Sequence, residues 1–202
     1  MNMKIKLLGC YGLDEALYGL GKSYGVTSNM SFERFKAEDD VWEQMYTRAK
    51  KQAPLGGGHN KFLEHIITYW DIQATRKIWS HLDTYRVGVS KQSESTMHTI
   101  RKRLLTPEDF ASKVTQSAID NVNNLITNKA DVEEIKDNLP EGFLQSREVL
   151  MSLNKLIDIY LQRKNHKLPE WQDFCNDTYQ ALPLSIRTFV ITNSGLLEFF
   201  EF

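Results

Sequence analysis

Residues 66–74, IITYWDIQA, constrain this chain more than any other segment. The run interleaves β-branched and aromatic side chains with polar ones, which suits a pleated strand half-buried on a core. A lone strand is not stable in water, so this one requires partners elsewhere in the chain. The same run also fits the first half of one long helix through Leu82, and its periodicity leaves both readings open. Lys4 to Cys10 reads as a second short strand.

The rest of the chain is punctuated like a set of helices. Asp14 to Tyr18 start a short one that Gly19 and Gly21 weaken. Ser31 is an N-cap for a helix to about Lys51, with Phe32, Phe35, Val41, Trp42, Met45 and Ala49 near one face. Pro54 and Gly56-Gly57-Gly58 open a loop, and the small polar residues from Gly88 to Thr96 read as another. Thr106, Pro107 and Asp109 form a helix start, followed at helical spacing by Phe110, Val114, Ala118, Val122 and Leu125. Further helices are expected over Asp131–Asp137, from Ser146 with a stripe through Val149, Leu153, Leu156 and Tyr160, and over Pro169–Leu182. Residues 188–202 read as two short strands around Asn193-Ser194-Gly195. Together these elements predict an α+β fold, a small antiparallel sheet flanked by helices.

A chain of 202 residues with 41% hydrophobic side chains suits a single domain over 1–202, with 183–202 as a tail that could stand apart. Its 25 basic and 26 acidic residues nearly cancel, which gives no global attraction to nucleic acid or an anionic membrane. Arg101-Lys102-Arg103 reads as a solvated turn. The first residues lack the features of a signal peptide, and no run approaches the roughly 18 apolar residues of a membrane span, so a cytoplasmic protein is expected. Cys10 and Cys175 form no redox or metal motif and read as two reduced, buried thiols. His59, His65 and His81 match no metal-ligand spacing, and no metal is expected.

From Gly58 the sequence becomes more specific. Gly58-His59 is followed after four residues by Glu64-His65, and 21 residues beyond His65 stands Arg86, in the triplet Thr84-Tyr85-Arg86. Ser90 and Ser95 follow, then Met97. Ile135-Lys136-Asp137-Asn138-Leu139-Pro140 comes later, with Arg163 23 residues after the proline. These elements and their separations resemble the flavin-dependent thymidylate synthases. That family has the Gly-His and Glu-His pairs, a signature RHRxxSxxxxSxR, and an Ala-Arg-x-x-Leu-Pro element followed by an arginine. The serines fit the signature with one residue inserted after Arg86. The likeness covers roughly Gly58 to Cys175, and the whole chain looks similar to short members of the group from bacteriophage genomes, through TYRVG and Gln162 to Leu168.

The resemblance implies methylation of dUMP, or a close pyrimidine analogue, with methylenetetrahydrofolate as carbon donor and NADPH reducing a bound FAD. It implies active sites formed between subunits of a homotetramer. By position, Arg163 and Ser95 would be catalytic. His81, Ser90, Gln92, Ser95, Lys136 and Arg163 would hold the nucleotide, Lys136 at a phosphate-contacting position and Arg163 at the one that reads the uracil ring. His59, Lys61, Thr84, Tyr85, Arg86, Asn154 and Asp158 would lie against FAD. Several positions depart from the family. Thr84 and Tyr85 replace an Arg-His pair, His81 replaces a glutamine, Met97 or Thr96 stands for the last arginine, and Ser152, Asn154 and Asp158 replace Asn, Arg and Asn. Outside the resemblance, Arg86 reads as a solvated residue, and Arg163 and Lys136 as cations complementing helix C-termini. A nucleotide- or cofactor-binding protein without redox activity is the alternative function.

Overall fold

The computed structural model describes residues 3–194. Four strands form one antiparallel sheet in the order β1-β2-β4-β3: β1 is Lys4–Tyr11, β2 Ile67–Thr75, β3 Val89–Ser93 and β4 Leu144–Ser152. The helices are α1 (Leu13–Ser23), α2 (Phe32–Ala37), α3 (Asp39–Gln52), α4 (Arg76–Leu82), α5 (Thr96–Thr99), α6 (Gln116–Thr127), α7 (Val132–Asp137), α8 (Leu153–Arg163), α9 (Pro169–Ala181) and α10 (Leu184–Ser194), with 3-10 turns at Lys61–Glu64 and Pro107–Asp109. The expected α+β architecture is therefore the observed one.

The sheet has one covered face. Trp70 and Ile72 of β2 and Val149 and Met151 of β4 point into the main core, where Leu17, Phe35, Met45, Leu63, Trp79, Leu156, Trp171, Phe174 and Phe189 meet them. The opposite face carries Tyr11, Ile67, Tyr69, Glu148 and Leu150 around a shallow depression. A second, smaller cluster gathers Ile100, Phe110, Ile119, Val122, Ile135, Leu139 and Phe143 beneath α6 and α7. It joins the sheet through the Phe110–Phe143 bridge.

Several boundaries differ from the sequence reading, each because a long-range contact overrules a local pattern. Residues 66–82 are neither all strand nor all helix; Thr75 accepts a hydrogen bond from the Ile78 N–H and starts α4 at the strand's end. Ser146 does not begin a helix. Residues 144–152 pair with β2 and β3, and the real cap is Ser152, whose hydroxyl accepts from the Lys155 N–H. Residues 89–93 are an edge strand rather than a loop, and their polar composition suits an edge. The helix capped by Ser31 breaks at Glu38 and restarts with Asp39 and Asp40 in its first turn. Thr106 and Asp109 form the expected capping box on a single 3-10 turn, and α6 starts only at Gln116. Gly19 and Gly21 do not stop α1, which runs to Ser23. Residues 184–194 are helical, not extended, and Phe189 packs edge-on against Tyr46 and Phe62. The remainder of the expected strand pair, from Gly195 on, lies outside the described residues.

Gly12 joins β1 to α1 with φ +91°, and a Cβ there would collide with the His65 carbonyl oxygen. Gly12→Ala combines a left-handed backbone with a backbone clash, and should cost about 2 kcal/mol or more, lowering Tm by roughly 4–8 °C in a scanning-calorimetry comparison.

Candidate functional site

Arg163 ends α8, and its surroundings come from three other places in the sequence. Its Nε donates to the Tyr85 hydroxyl at 2.8 Å. Its guanidinium lies 5.7 Å from the centre of the Tyr85 ring and 4.8 Å from that of Trp171. Trp171 enters from the first turn of α9, which Pro169 opens. Its indole N–H donates to His81 Nδ1 at 3.2 Å, from the last turn of α4. Tyr85 follows α4 directly and donates in turn to Gln162 Oε1 at 3.0 Å. His166 closes the group with its ring centre 6.3 Å from that of His81 and 6.4 Å from that of Trp171. The two aromatic rings and the Tyr85 hydroxyl fix the position of the planar Arg163 guanidinium, leaving its outer N–H groups for a carbonyl or an anion.

The turn that carries Tyr85 is clamped from below. Arg147 sits on the covered face of β4, opposite Ile72, and its Nη1 donates to both Asp83 carboxylate oxygens at 3.0 and 3.1 Å. Its guanidinium carbon lies 4.4 Å from the Trp79 ring centre. Lys91 approaches the same carboxylate at 3.4 Å and donates to the Tyr85 carbonyl at 3.2 Å. Both cationic side chains are nearly buried, at 15% and 13% exposure, so Asp83 neutralises charge that would otherwise be costly.

The other expected residues fall into separate groups. Thr84 donates to the His81 carbonyl, and Arg86 is exposed beside it. The residue inserted in the signature falls in the turn after Arg86. Gly88 there has φ +71°, and a Cβ would meet Ser152 Oγ at 2.8 Å. Asn154 donates to Glu64 Oε1 at 2.6 Å, and Asp158 accepts from Lys155 at 2.7 Å. His59 and Lys61 line a cleft of about 340 Å³ against α1, with Phe62 and His65. Ser90 and Gln92 pair with Leu150 and Glu148, which puts them on the open face of the sheet, away from Lys91 and from the Arg163 group. Ser95 occupies the N-cap position of α5. Lys136 reaches Met97 Sδ at 3.5 Å and lines a depression with Arg76, Thr96, Leu139 and Gln145. The structure thus unites His81, Tyr85 and Arg163, and separately Lys136 with Met97. It does not bring Ser90, Gln92, Ser95, His59 or Lys61 to Arg163 within one chain.

Sequence reasoning missed Arg76, Arg147, Gln162, His166 and Trp171. Arg147 was hidden by the helical reading of its strand; with alternation applied to 144–152, it stands out as a charge on the core face. Trp171 is fully buried, and it also supports the site.

Burial pushes the Cys10 thiol up to about 11 and the Cys175 thiol up to about 12, so neither is a ready nucleophile. Cys10 is half-buried rather than buried. Among the described residues no group of His, Cys, Asp and Glu could hold a metal ion, and no helix is long and apolar enough to cross a membrane.

The overall fold is that of the flavin-dependent thymidylate synthases, and a nucleotide methylase shares it. Thymidylate synthase X from Helicobacter pylori, solved with FAD and dUMP, superposes with a TM-score of 0.78 over 95% of this chain and 99% of that one, at 17% identity. A second structure of the flavin-dependent thymidylate synthase from Helicobacter pylori, also complexed with FAD and dUMP, gives 0.77 over 93% and 97%, at 17% identity. The UMP/dUMP methylase PolB from Streptomyces cacaoi, bound with 5-Br dUMP, gives 0.64 over 94% of both chains, at 13% identity. No family model matches the sequence, and no curated protein matches it either. At these identities the likeness establishes the fold.

Desolvation, then the charges of Arg163, His81 and Lys167, hold His166 below the ordinary imidazole value. A depressed folded-state value means that the neutral form's contribution is complete above the ordinary value of about 6.5 and is lost as pH falls through the lowered one. An NMR titration should find His166 below about 6.5, and Arg163→Gln should move its midpoint upward.

Proposed function

We propose that this chain binds a pyrimidine nucleotide of the dUMP class at the Arg163 cluster and methylates it as a flavin-dependent enzyme. Methylenetetrahydrofolate would supply the carbon and NADPH the reducing equivalents. The observation that carries this reading is the contact of Arg163 with Tyr85 and, through Trp171, with His81. Tyr85 lies 78 positions from Arg163 and His81 lies 90 from Trp171, and the resemblance had assigned all of His81, Tyr85 and Arg163 to substrate or cofactor. An arginine held there can stabilise negative charge developing on a pyrimidine ring. Lys136, with Arg76 beside it, supplies cations suited to a phosphate.

FAD would bring the hydride chemistry. Its expected contacts fit it only in part. Tyr85 offers an aromatic face, and Arg86 and Lys61 offer exposed cations. Asn154 is engaged by the Glu64 carboxylate and Lys155 by Asp158, so that region carries little net positive charge for a pyrophosphate. FAD is therefore held more loosely than by a full Arg-His-Arg triplet. This same pairing favours the second reading, a nucleotide-binding protein without redox activity. Absorbance of the purified protein near roughly 450 nm, with and without added FAD, separates the two.

Ser90 and Gln92 on the open sheet face can join a site with Arg163 only if another copy of the chain supplies one of the groups. A homotetramer in the cytoplasm, with sites between subunits, is the assembly we propose. Light scattering at micromolar concentration should then report an oligomer; a stable monomer would remove this part of the proposal.

Arg163→Ala should weaken dUMP binding by roughly 10- to 100-fold in calorimetry, the loss of a charge-assisted hydrogen bond. Thermal stability should fall by no more than about 1 kcal/mol, the worth of its aromatic contacts. An unchanged affinity in a protein whose parent binds dUMP takes Arg163 out of the site.

A further inference from the structure

The two hydrophobic cores share no residue, and the smaller one is built wholly from the stretch between Ile100 and Phe143. The chain enters that stretch from the end of β3 and leaves it into the start of β4. The two strands are neighbours. The Glu94 N–H donates to the Ser146 carbonyl at 3.0 Å, and the Gln145 amide donates to the Glu94 carbonyl at 2.9 Å. Entry and exit therefore lie side by side, which is the connectivity of a lobe, residues 94–143, attached at one hinge.

Beyond the hinge, the lobe meets the sheet and its helices along a seam with open space in it. A cleft of about 470 Å³ has Ala74, Ile78 and Leu168 on the sheet side and Val114 and Gly142 on the lobe side. A depression of about 210 Å³ has Arg76 and Gln145 on the sheet side and Thr96, Lys136 and Leu139 on the lobe side. Arg76 crosses the seam: its backbone N–H donates to the Phe143 carbonyl at 3.1 Å, and its Nη1 to the Leu139 carbonyl at 2.7 Å. The Lys77 N–H donates to the Glu141 carbonyl at 3.3 Å. The Glu141 carboxylate stands 3.7 Å from Arg76 but is 65% exposed, so that ion pair holds the seam weakly. Lys136 directs one donor at the Met97 sulfur, a weak acceptor in the same lobe.

We propose that a phosphate held between Arg76 and Lys136 locks the 94–143 lobe onto the sheet, so that binding the ligand closes the seam. The proposal rests on reading this depression as a phosphate site. Its physical basis is that the two cations come from opposite sides of the seam. An anion with several acceptor oxygens bonds both when the seam is closed and one when it is open. It therefore shifts the population toward the closed state by its difference in affinity for the two states.

The test is amide hydrogen exchange by NMR on the full-length protein, with calorimetry to measure binding. The reporters are the Arg76 and Lys77 amides, which bond across the seam, against Trp70 and Ile72 in the middle of β2. Inorganic phosphate, dUMP and deoxyuridine are the probes. In the free protein the seam amides should exchange faster than those of β2. Phosphate or dUMP at about 100 times its Kd should slow the seam amides by about 100-fold, and deoxyuridine should leave them unchanged. Arg76→Ala, which takes the donor from the Leu139 carbonyl, should speed seam exchange without any ligand. Lys136→Gln should leave the ligand-free rates as in the parent, because its Met97 contact lies within the lobe, and should weaken phosphate binding and its slowing effect by about tenfold. This second variant keeps the test independent of any folding defect in the first. Seam amides as slow as those of β2 in the free protein overturn the proposal. So does phosphate that binds, is weakened by Lys136→Gln and leaves seam exchange unaltered; the phosphate reading then stands and the lock does not. If neither phosphate nor dUMP binds, or Lys136→Gln binds them as the parent does, the phosphate reading has failed and the lock falls with it.

Discussion

The antiparallel pairing of β2 with β4, from Ile67 opposite Ser152 to Thr75 opposite Leu144, is the constraint on which the rest depends. It joins the two halves of the chain over the full length of both strands and sets Trp70 beside Val149 in the main core. Because the strands run oppositely, α4 leaves one end of the pair and α8 leaves the other. Helix α8 must then return, and its 11 residues span about 16 Å. That return brings Arg163 to Tyr85 and Trp171. A one-residue slip of β4 against β2 would turn Val149 and Met151 to the open face and place Arg147 there as well.

Electrostatics ties the site to this frame. Arg147 belongs to the central pair of strands, Lys91 to the edge strand β3, and Asp83 to the turn after α4. The carboxylate of Asp83, itself exposed, is shared by two nearly buried cations, either of which alone would carry a desolvation cost. The clamp holds the Thr84–Arg86 turn through the Tyr85 carbonyl as well as through Asp83. The aromatic groups then arrange the remaining polarity: the Trp171 indole N–H donates to His81 Nδ1, and the Tyr85 hydroxyl accepts from Arg163 Nε.

Much of the fold was legible locally. The strand at β1, the N-cap at Ser31, the short helix α7, the capping box at Thr106 and Asp109, and the proline start of α9 all rest on short-range chemistry, and they are where the sequence puts them. The errors cluster where partners are distant. Residues 144–152 carry an apolar pattern compatible with either period, and only pairing with β2 and β3 makes them a strand. Residues 89–93 have almost no strand propensity and are extended because β4 offers them hydrogen bonds.

The candidate site divides in the same way. The resemblance singled out His81, Tyr85 and Arg163, through the separations of the motifs that carry it. Local sequence also determined the caps, the turns and the near-zero net charge. Tertiary structure decided which of the selected residues meet. Strand alternation sent Ser90 and Gln92 to the face opposite Lys91, a consequence of register that no motif encodes. It also recruited Arg147, His166 and Trp171, whose roles arise from contacts with residues on distant elements. A hydrogen bond from Trp171 to His81 spans 90 positions, and such a partner exists only once the sheet has fixed where α4 and α9 lie.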